Sequence, residues 1–372
     1  DPTLSGVARP ELEIVEGGAA IEVPVGLDVQ ANSTTIRLLS LHGFGNDDTN
    51  TGSIYASADI RVGTSIVDGA TGTSLSGTLI EQNIIGVGPS SLADPGVNNR
   101  SLNGIGIYGP DAGVIQDNVV ASAGQFGIFV SNDADGWTIQ RNDIRQNGRE
   151  NSGRDGMDAG NYSGGALIRQ NYIFDNAGSG IDSWQSDGGH TITDNTIDSN
   201  GTVGSEESGV RLYGTNSTLT LNRIQNSAGA GVLVVADPPW AVVNFPSNGN
   251  RISQNSFATN GANAIDLLAE VPGPGFADAD GGDGITLNDG ATNATWGNRG
   301  VDYPVITAAN KVGPTTTITG TAATGVTSVE VYRAVAGAGD TSGGNGYGEG
   351  TQYLGTAAVI AGAWTLNFTD GA

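Results

Sequence analysis

The sequence predicts an all-β protein, a right-handed parallel β-helix of three-strand coils followed by a small β-sandwich at the C-terminus. Three observations carry this. A short phrase with two apolar residues around an asparagine returns seven times, and a phrase with period-two alternation, glycine-led in six of the seven, follows each copy. The chain also holds 60 glycines in 372 residues, with little helix-favouring composition.

The first phrase reads LIEQNII, VIQDNVV, TIQRNDI, LIRQNYI, TITDNTI, LTLNRI and RISQNSF along the chain. Asn83, Asn118, Asn142, Asn171, Asn195, Asn222 and Asn255 hold the same place in it, at gaps of 24 to 35 residues, a solenoid period. In TIQRNDIRQNG, Ile139 and Ile144 are five apart. A flat strand alternates its faces with period two, so an odd spacing sends the two isoleucines to opposite sides. A corner at the asparagine resolves the conflict: two short strands meet there, and each turns its apolar residue into one core. The asparagines then form a structural ladder, each amide offering donor and acceptor to the next coil. A second file is expected through Asn147, Asn176, Asn200 and Asn260.

The third strand of each coil lies in GIGIYG, GIFVSN, GMDAGN, GIDSWQ, GVRLYG, GVLVVA and AIDLLA. Alternation puts Ile128 with Val130, and Val210 with Leu212, on one inward face, and the leading glycine permits a tight bend. Coils of this kind stack in parallel about 4.8 Å apart. Nearer the N-terminus, GLDVQANSTTIRLLSLHGFG and SADIRVGTS follow the same grammar less regularly. Arg37 and Leu38 stand there where later coils carry a polar residue and the asparagine, as expected of atypical end coils.

On the I-x-x-N-x-I coil, residues of about 20 to 270 resemble the right-handed parallel β-helix repeat proteins of bacteria. The resemblance implies the fold. It leaves function open, because polysaccharide lyases, epimerases, hydrolases, phage tailspikes and non-catalytic surface proteins share that fold. The tail resembles a bacterial Ig-like module, with strands expected in YPVITAA, TTITGTA, SVEVYRA, QYLGTAAVI and AWTLNFT. An Ig-type sandwich has about seven strands, so five read as incomplete. Either the module continues past residue 372, or another subunit donates a strand and builds a homo-polymer. The expected division is therefore a β-helix over 1–270, an acidic Gly/Asp-rich linker over 271–300 and the Ig-like sandwich over 301–372.

Composition narrows the partners. With 39 acidic against 15 basic side chains the net charge is -24, which disfavours nucleic acid and anionic membranes. There is no cysteine, so disulfides and thiolate metal sites are excluded, and no run approaches the roughly 18 apolar residues of a membrane span. Glycans, divalent cations or another protein fit better, and an extracellular or cell-surface location is expected from fold and composition. In FADADGGDGITLNDG, Asp278, Asp280, Asp283 and Asp289 offer oxygen ligands suited to calcium, although Asp283 stands where an EF-hand loop needs glycine.

Aligning the third strands places Arg61, Gly106, Phe129, Asp158, Asp182, Arg211, Leu233 and Asp266 in one outward column. The next outward column holds Tyr108, Ser131, Gly160, Trp184, Tyr213 and Val235. Asp158 and Asp182 on adjacent coils suit paired-carboxylate glycoside chemistry, with Arg211 one coil beyond. Trp184, Tyr213 and Tyr108 are the candidate sugar-stacking rings. The competing reading of this column is an ion-paired file on a solvated face. GGHT at 188–191 resembles the glycine-histidine turn of polygalacturonases, without its accompanying basic motif. The single lysine, Lys311, lies outside the β-helix, and His42 and His190 fall on distant coils. The first expectation is thus a non-catalytic extracellular structural or adhesion protein, self-assembling into filaments or a matrix by strand donation. Its alternative is a carbohydrate-active enzyme, a polysaccharide hydrolase, lyase or epimerase, acting around Asp158, Asp182 and Arg211.

Overall fold

The structure, a computed structural model, describes residues 10–16, 23–45, 57–63, 75–150, 154–202, 208–236, 247–268, 284–335 and 349–369. The coil phrases fold into three parallel sheets. The first sheet holds the eight strands that precede the ladder position, from Thr35–Arg37 to Arg251–Ser253. The second holds the nine strands that follow that position, from Leu12–Val15 to Ser256–Ala258. The third holds nine strands of the other phrase, from Val25–Val29 to Ile265–Leu267. Each inward file is in register from coil to coil. Ile115, Ile139, Ile168, Ile192 and Leu219 pair along the first sheet, and Val120, Ile144, Ile173, Ile197 and Ile224 along the second. These files are sealed into one core. Ile139 and Ile144 are both at 0% exposure, so the odd spacing is met by a corner.

The corner is not made by the asparagine. The residue before it carries the bend: Gln82, Asp117, Arg141, Gln170, Asp194, Leu221 and Gln254 hold φ between 54° and 60°. This left-handed conformation costs an L-residue about 1–2 kcal/mol, and the asparagine clamps it. Asn142 donates from its backbone N and from Nδ2 to Asn171 Oδ1, at 2.9 and 3.1 Å, and from Nδ2 to the Ile115 carbonyl at 2.9 Å. The same pattern runs from Asn83 to Asn255. The early coil joins one residue later than the sequence suggests. Leu38 is the bend residue with φ 57°, and Leu39 takes the asparagine position, its N donating to Asn83 Oδ1 at 3.1 Å.

The second file uses the same device. Gln146, Asp175 and Ser199 bend with φ of 53° to 56° before Asn147, Asn176 and Asn200. Asn147 Nδ2 donates to Asn176 Oδ1 at 3.0 Å and Asn176 Nδ2 to Asn200 Oδ1 at 2.9 Å. Ser227 then interrupts the amides before Asn260, and its N donates to Asn260 Oδ1 at 3.1 Å. Glycines 127, 156 and 180 lead their third strands for a reason beyond bending. A Cβ there would meet the ladder amide nitrogen at 2.6, 2.6 and 2.9 Å.

All five expected strands of the tail form, as Val305–Val312, Thr315–Thr321, Ser328–Val335, Glu349–Ile360 and Ala363–Thr369. They are antiparallel, with the first at one edge and the third at the other, around Ile318, Val329, Val331, Trp364 and Leu366. The module docks where a further coil would stack. Asn260 N and Nδ2 donate to Glu349 Oε1 at 3.1 and 2.6 Å. Gln254 N donates to Glu330 Oε2 at 3.0 Å, and Ser256 Oγ to the Thr351 carbonyl at 2.8 Å. Glu349 thus continues the accepting side of the second ladder, while Glu330 accepts from the bend residue beside the end of the first.

One corner holds an unusual group. Asp59 falls between Gly26 and Gly104 in the file of leading glycines and is fully buried, with Ser101 Oγ donating to its Oδ1 at 2.6 Å. Burial raises its pKa well above the ordinary carboxylate value. The folded chain therefore resists ionising a group that ionises freely when unfolded, so stability is lost as pH rises from the unfolded toward the folded pKa. Asp59→Asn is expected to leave the melting temperature nearly unchanged at about pH 3 and to raise it at about pH 8; thermal melts across that range check this.

Candidate functional site

The outward column on the third sheet is in the expected register. Phe129 pairs with Asp158, Asp158 with Asp182, Asp182 with Arg211, Arg211 with Leu233 and Leu233 with Asp266. Asp158 and Asp182 therefore sit on adjacent strands, about one strand spacing of 4.8 Å apart. The column is not solvated. Asp158, Asp182 and Arg211 are 3%, 2% and 1% exposed, and Asp266 is also buried. The strands of this sheet are buried on both faces, because Phe129, Leu233 and Val235 bring apolar side chains to the outer one as well. The continuous apolar runs in GIFVSN and GVLVVA are the sequence mark of that double burial.

Within this face one guanidinium organises the polar groups. Arg211 donates from its NH1 to Asp182 Oδ2 at 3.2 Å and from its NH2 to the Tyr213 hydroxyl at 2.8 Å. Its charge lies 5.5 Å from the centroid of the Trp184 ring and 5.2 Å from that of Tyr213. The two rings meet edge to face at 5.1 Å, and Trp184 is only half-buried. The structure thus brings Asp158, Asp182, Arg211, Trp184 and Tyr213 together. Tyr108 belongs to a neighbouring cluster, two coils from Asp158, edge-on to Phe129 at 5.8 Å, and Phe129 stacks on Phe126 at 4.8 Å. Burial raises the Tyr108 hydroxyl pKa strongly. Two members of this neighbourhood were not singled out from the sequence: Asp155, which is buried, and Arg154, whose guanidinium lies 5.2 Å over Phe126. Both lie in the turn before the strand, where no repeat marks them.

The histidines stand apart. His190 fills a corner between the third and first sheets, with Nδ1 accepting from Ala166 N at 3.2 Å, so Nε2 carries the proton toward Ser186 Oγ at 2.6 Å. Burial lowers its pKa to about 4, leaving a neutral structural residue. His42 pairs with Glu13 at 2.9 Å. Of the calcium candidates, Asp278, Asp280 and Asp283 lie outside the described residues, and Asp289 accepts from Ala291 N at 2.8 Å. Among the described residues no group of three metal-ligating side chains occurs. Residues 151–153 and 203–207, in the loops that precede the strands of Asp158 and Arg211, are also outside the described residues.

Comparison with known proteins places this architecture. The family model described as the right handed beta helix region matches residues 103–302. The chain belongs to the right-handed β-helix family. Among solved structures, this β-helix is similar to an alginate lyase from Paenibacillus sp. str. FPU-7, at 13% identity over 63% of this chain and 69% of the lyase, with a TM-score of 0.42. It is similar to the A-module of the Azotobacter vinelandii mannuronan C-5 epimerase AlgE4, at 16% identity over 67% and 74%, with a TM-score of 0.43. The Dettilon tailspike protein matches at 12% identity over 96% and 69%, with a TM-score of 0.40. At these identities the likeness is one of fold. The expectation of a non-catalytic adhesion or filament-forming protein is corrected here: two of the structures similar in fold are an alginate lyase and a mannuronan C-5 epimerase. No helix among the described residues is long and apolar enough to cross a membrane.

The buried ion pair generates a prediction about stability. Arg211→Ala leaves Asp182 buried without its guanidinium and is expected to cost about 3–5 kcal/mol. Combining it with Asp182→Asn is expected to recover more than half of that loss, as urea denaturation of the single and double variants would show.

Proposed function

We propose that this β-helix is a carbohydrate-active enzyme whose reacting groups are Asp158 and Asp182 on the outer face of the third sheet. The observation that supports it is the register: two carboxylates on adjacent strands, with a guanidinium beside one of them and aromatic rings alongside. A separation of about 5 Å between carboxyl groups suits retaining glycoside hydrolysis.

The two acids have different surroundings, and the roles follow. Arg211 places a positive charge 3.2 Å from Asp182, which favours a carboxylate there and hence the nucleophile. Asp158, one coil further from Arg211, is the proton donor. In the first step Asp182 attacks the anomeric carbon while Asp158 gives its proton to the departing glycosidic oxygen, leaving a covalent glycosyl-enzyme ester. Water then attacks that carbon, Asp158 takes the water's proton, and the Asp182 carboxylate leaves. The half-buried Trp184 is the ring that a sugar can reach and the side from which a chain approaches, while buried Tyr213 holds Arg211 and Trp184 in place. Hydrolysis suits the site better than elimination. A lyase needs a base, and His190 is occupied in a corner while Lys311 lies in the C-terminal module. A polysaccharide substrate implies work outside the cell, and we assign the chain there.

The test is release of reducing ends from a panel of neutral and acidic polysaccharides. The wild-type chain is expected to cleave at least one, and Asp182→Asn and Asp158→Asn each to lower the rate by about 100-fold or more with an unchanged far-ultraviolet spectrum. Cleavage that survives Asp182→Asn, or a wild-type chain inert toward the whole panel, would overturn the assignment.

A further inference from the structure

The last coil leaves its core open. Inward positions sealed in earlier coils become accessible there: Ile252 and Leu267 are half-buried and Ile265 is 39% exposed, whereas Leu219, Val232 and Val234 are at 0%. Between this coil end and the C-terminal module lies a cavity of about 890 Å³. That lies within the roughly 300–1,000 Å³ of ligand sites.

The walls are mixed. Ile252, Phe257 and Leu267 contribute apolar surface from the coil, and Val326 and Val329 from the module. Polar groups enter from both sides, Arg251 and Asn263 from the coil and Asp302, Tyr303 and Tyr332 from across it. Two of them are incompletely paired. Arg251 reaches Ser253 Oγ at 3.4 Å and forms no ion pair among the described residues, in a chain of net charge -24. Asp302 accepts from Gly290 N through Oδ2 at 3.0 Å, while its Oδ1 is buried with no hydrogen-bond partner among the described residues. Glu330 is already engaged by Ser253 Oγ, Gln254 N and the Tyr332 hydroxyl.

We propose that this cavity is a second glycan-binding site, which holds a short run of neutral sugar rings at the end of the solenoid. An alkyl chain would bury Arg251 and Asp302 Oδ1 without partners, at about 1–3 kcal/mol for each unsatisfied group. An acidic ligand would meet Asp302 and Glu330. Neutral sugars supply hydroxyl donors for the carboxylate and acceptors for the guanidinium, and their apolar faces match the rings of Tyr303 and Phe257. The site stands independently of the chemistry at Asp158 and Asp182.

Isothermal titration of the full chain tests this with three probes: neutral β-linked hexasaccharides of glucose, xylose and mannose; an acidic hexauronate; and decyl sulfate. At least one neutral hexasaccharide is expected to bind with Kd between about 10 μM and 1 mM. Arg251→Ala, at an exposed position, and Asp302→Asn are each expected to weaken it about tenfold or more, and Asp182→Asn to leave it unchanged. The proposal is overturned if no neutral probe binds below about 10 mM, or if decyl sulfate or the hexauronate binds more tightly with the same dependence on Arg251. It is equally overturned if Asp182→Asn abolishes binding while Arg251→Ala does not, which would place the sugar on the third sheet instead.

Discussion

A left-handed residue clamped by the asparagine that follows it is the constraint on which this solenoid depends. The bend residue pays a conformational penalty in every coil, and the amide ladder offsets it. Asn171 shows how: its Oδ1 accepts twice from Asn142, its Nδ2 reaches Asn195 Oδ1 at 3.0 Å, and the same Nδ2 holds the Ile139 carbonyl at 2.9 Å. Because these bonds join one coil to the next, a corner is stable only when its neighbours share it. The loops between corners are then free to differ in length, as the ladder gaps do.

The ladders also explain how the rod ends. An asparagine passes the pattern on because it accepts through oxygen and donates through nitrogen. Glu349 accepts from Asn260 N and Nδ2 as the next asparagine would, yet a carboxylate has no N–H donor to pass on. The module thus covers the edge that a parallel stack would otherwise present to another chain. It does so along the ladders and leaves the core beneath them incompletely filled, which is how the end cavity arises.

Much of this was legible in the sequence. The period of the asparagines gave the coils, and the outward file from Arg61 to Asp266 aligned residue by residue, since the alternating phrases fix their own register. The bend residue was hidden because Gln, Asp, Arg and Leu all serve there, so no residue type marks it. Leu39 hid the first ladder position for the same reason. The burial of Asp158 and Asp182 was missed because their own strands, GMDAGN and GIDSWQ, alternate as half-exposed strands do. The mark of double burial lay in other coils, in GIFVSN one coil before Asp158 and in GVLVVA two coils after Asp182. The end cavity is joined by residues far apart in sequence, such as Arg251 and Asp302, and no local pattern announces it.

The bend itself can be tested at Gln170, an exposed corner residue with φ 55° that precedes Asn171. Glycine relieves the left-handed penalty, while a β-branched residue increases it. Urea denaturation is predicted to find Gln170→Gly at least as stable as the parent and Gln170→Val less stable by about 1 kcal/mol or more. The reverse order, with glycine costing the roughly 0.5–1 kcal/mol of an ordinary strand position and valine tolerated, would contradict the account of the corner.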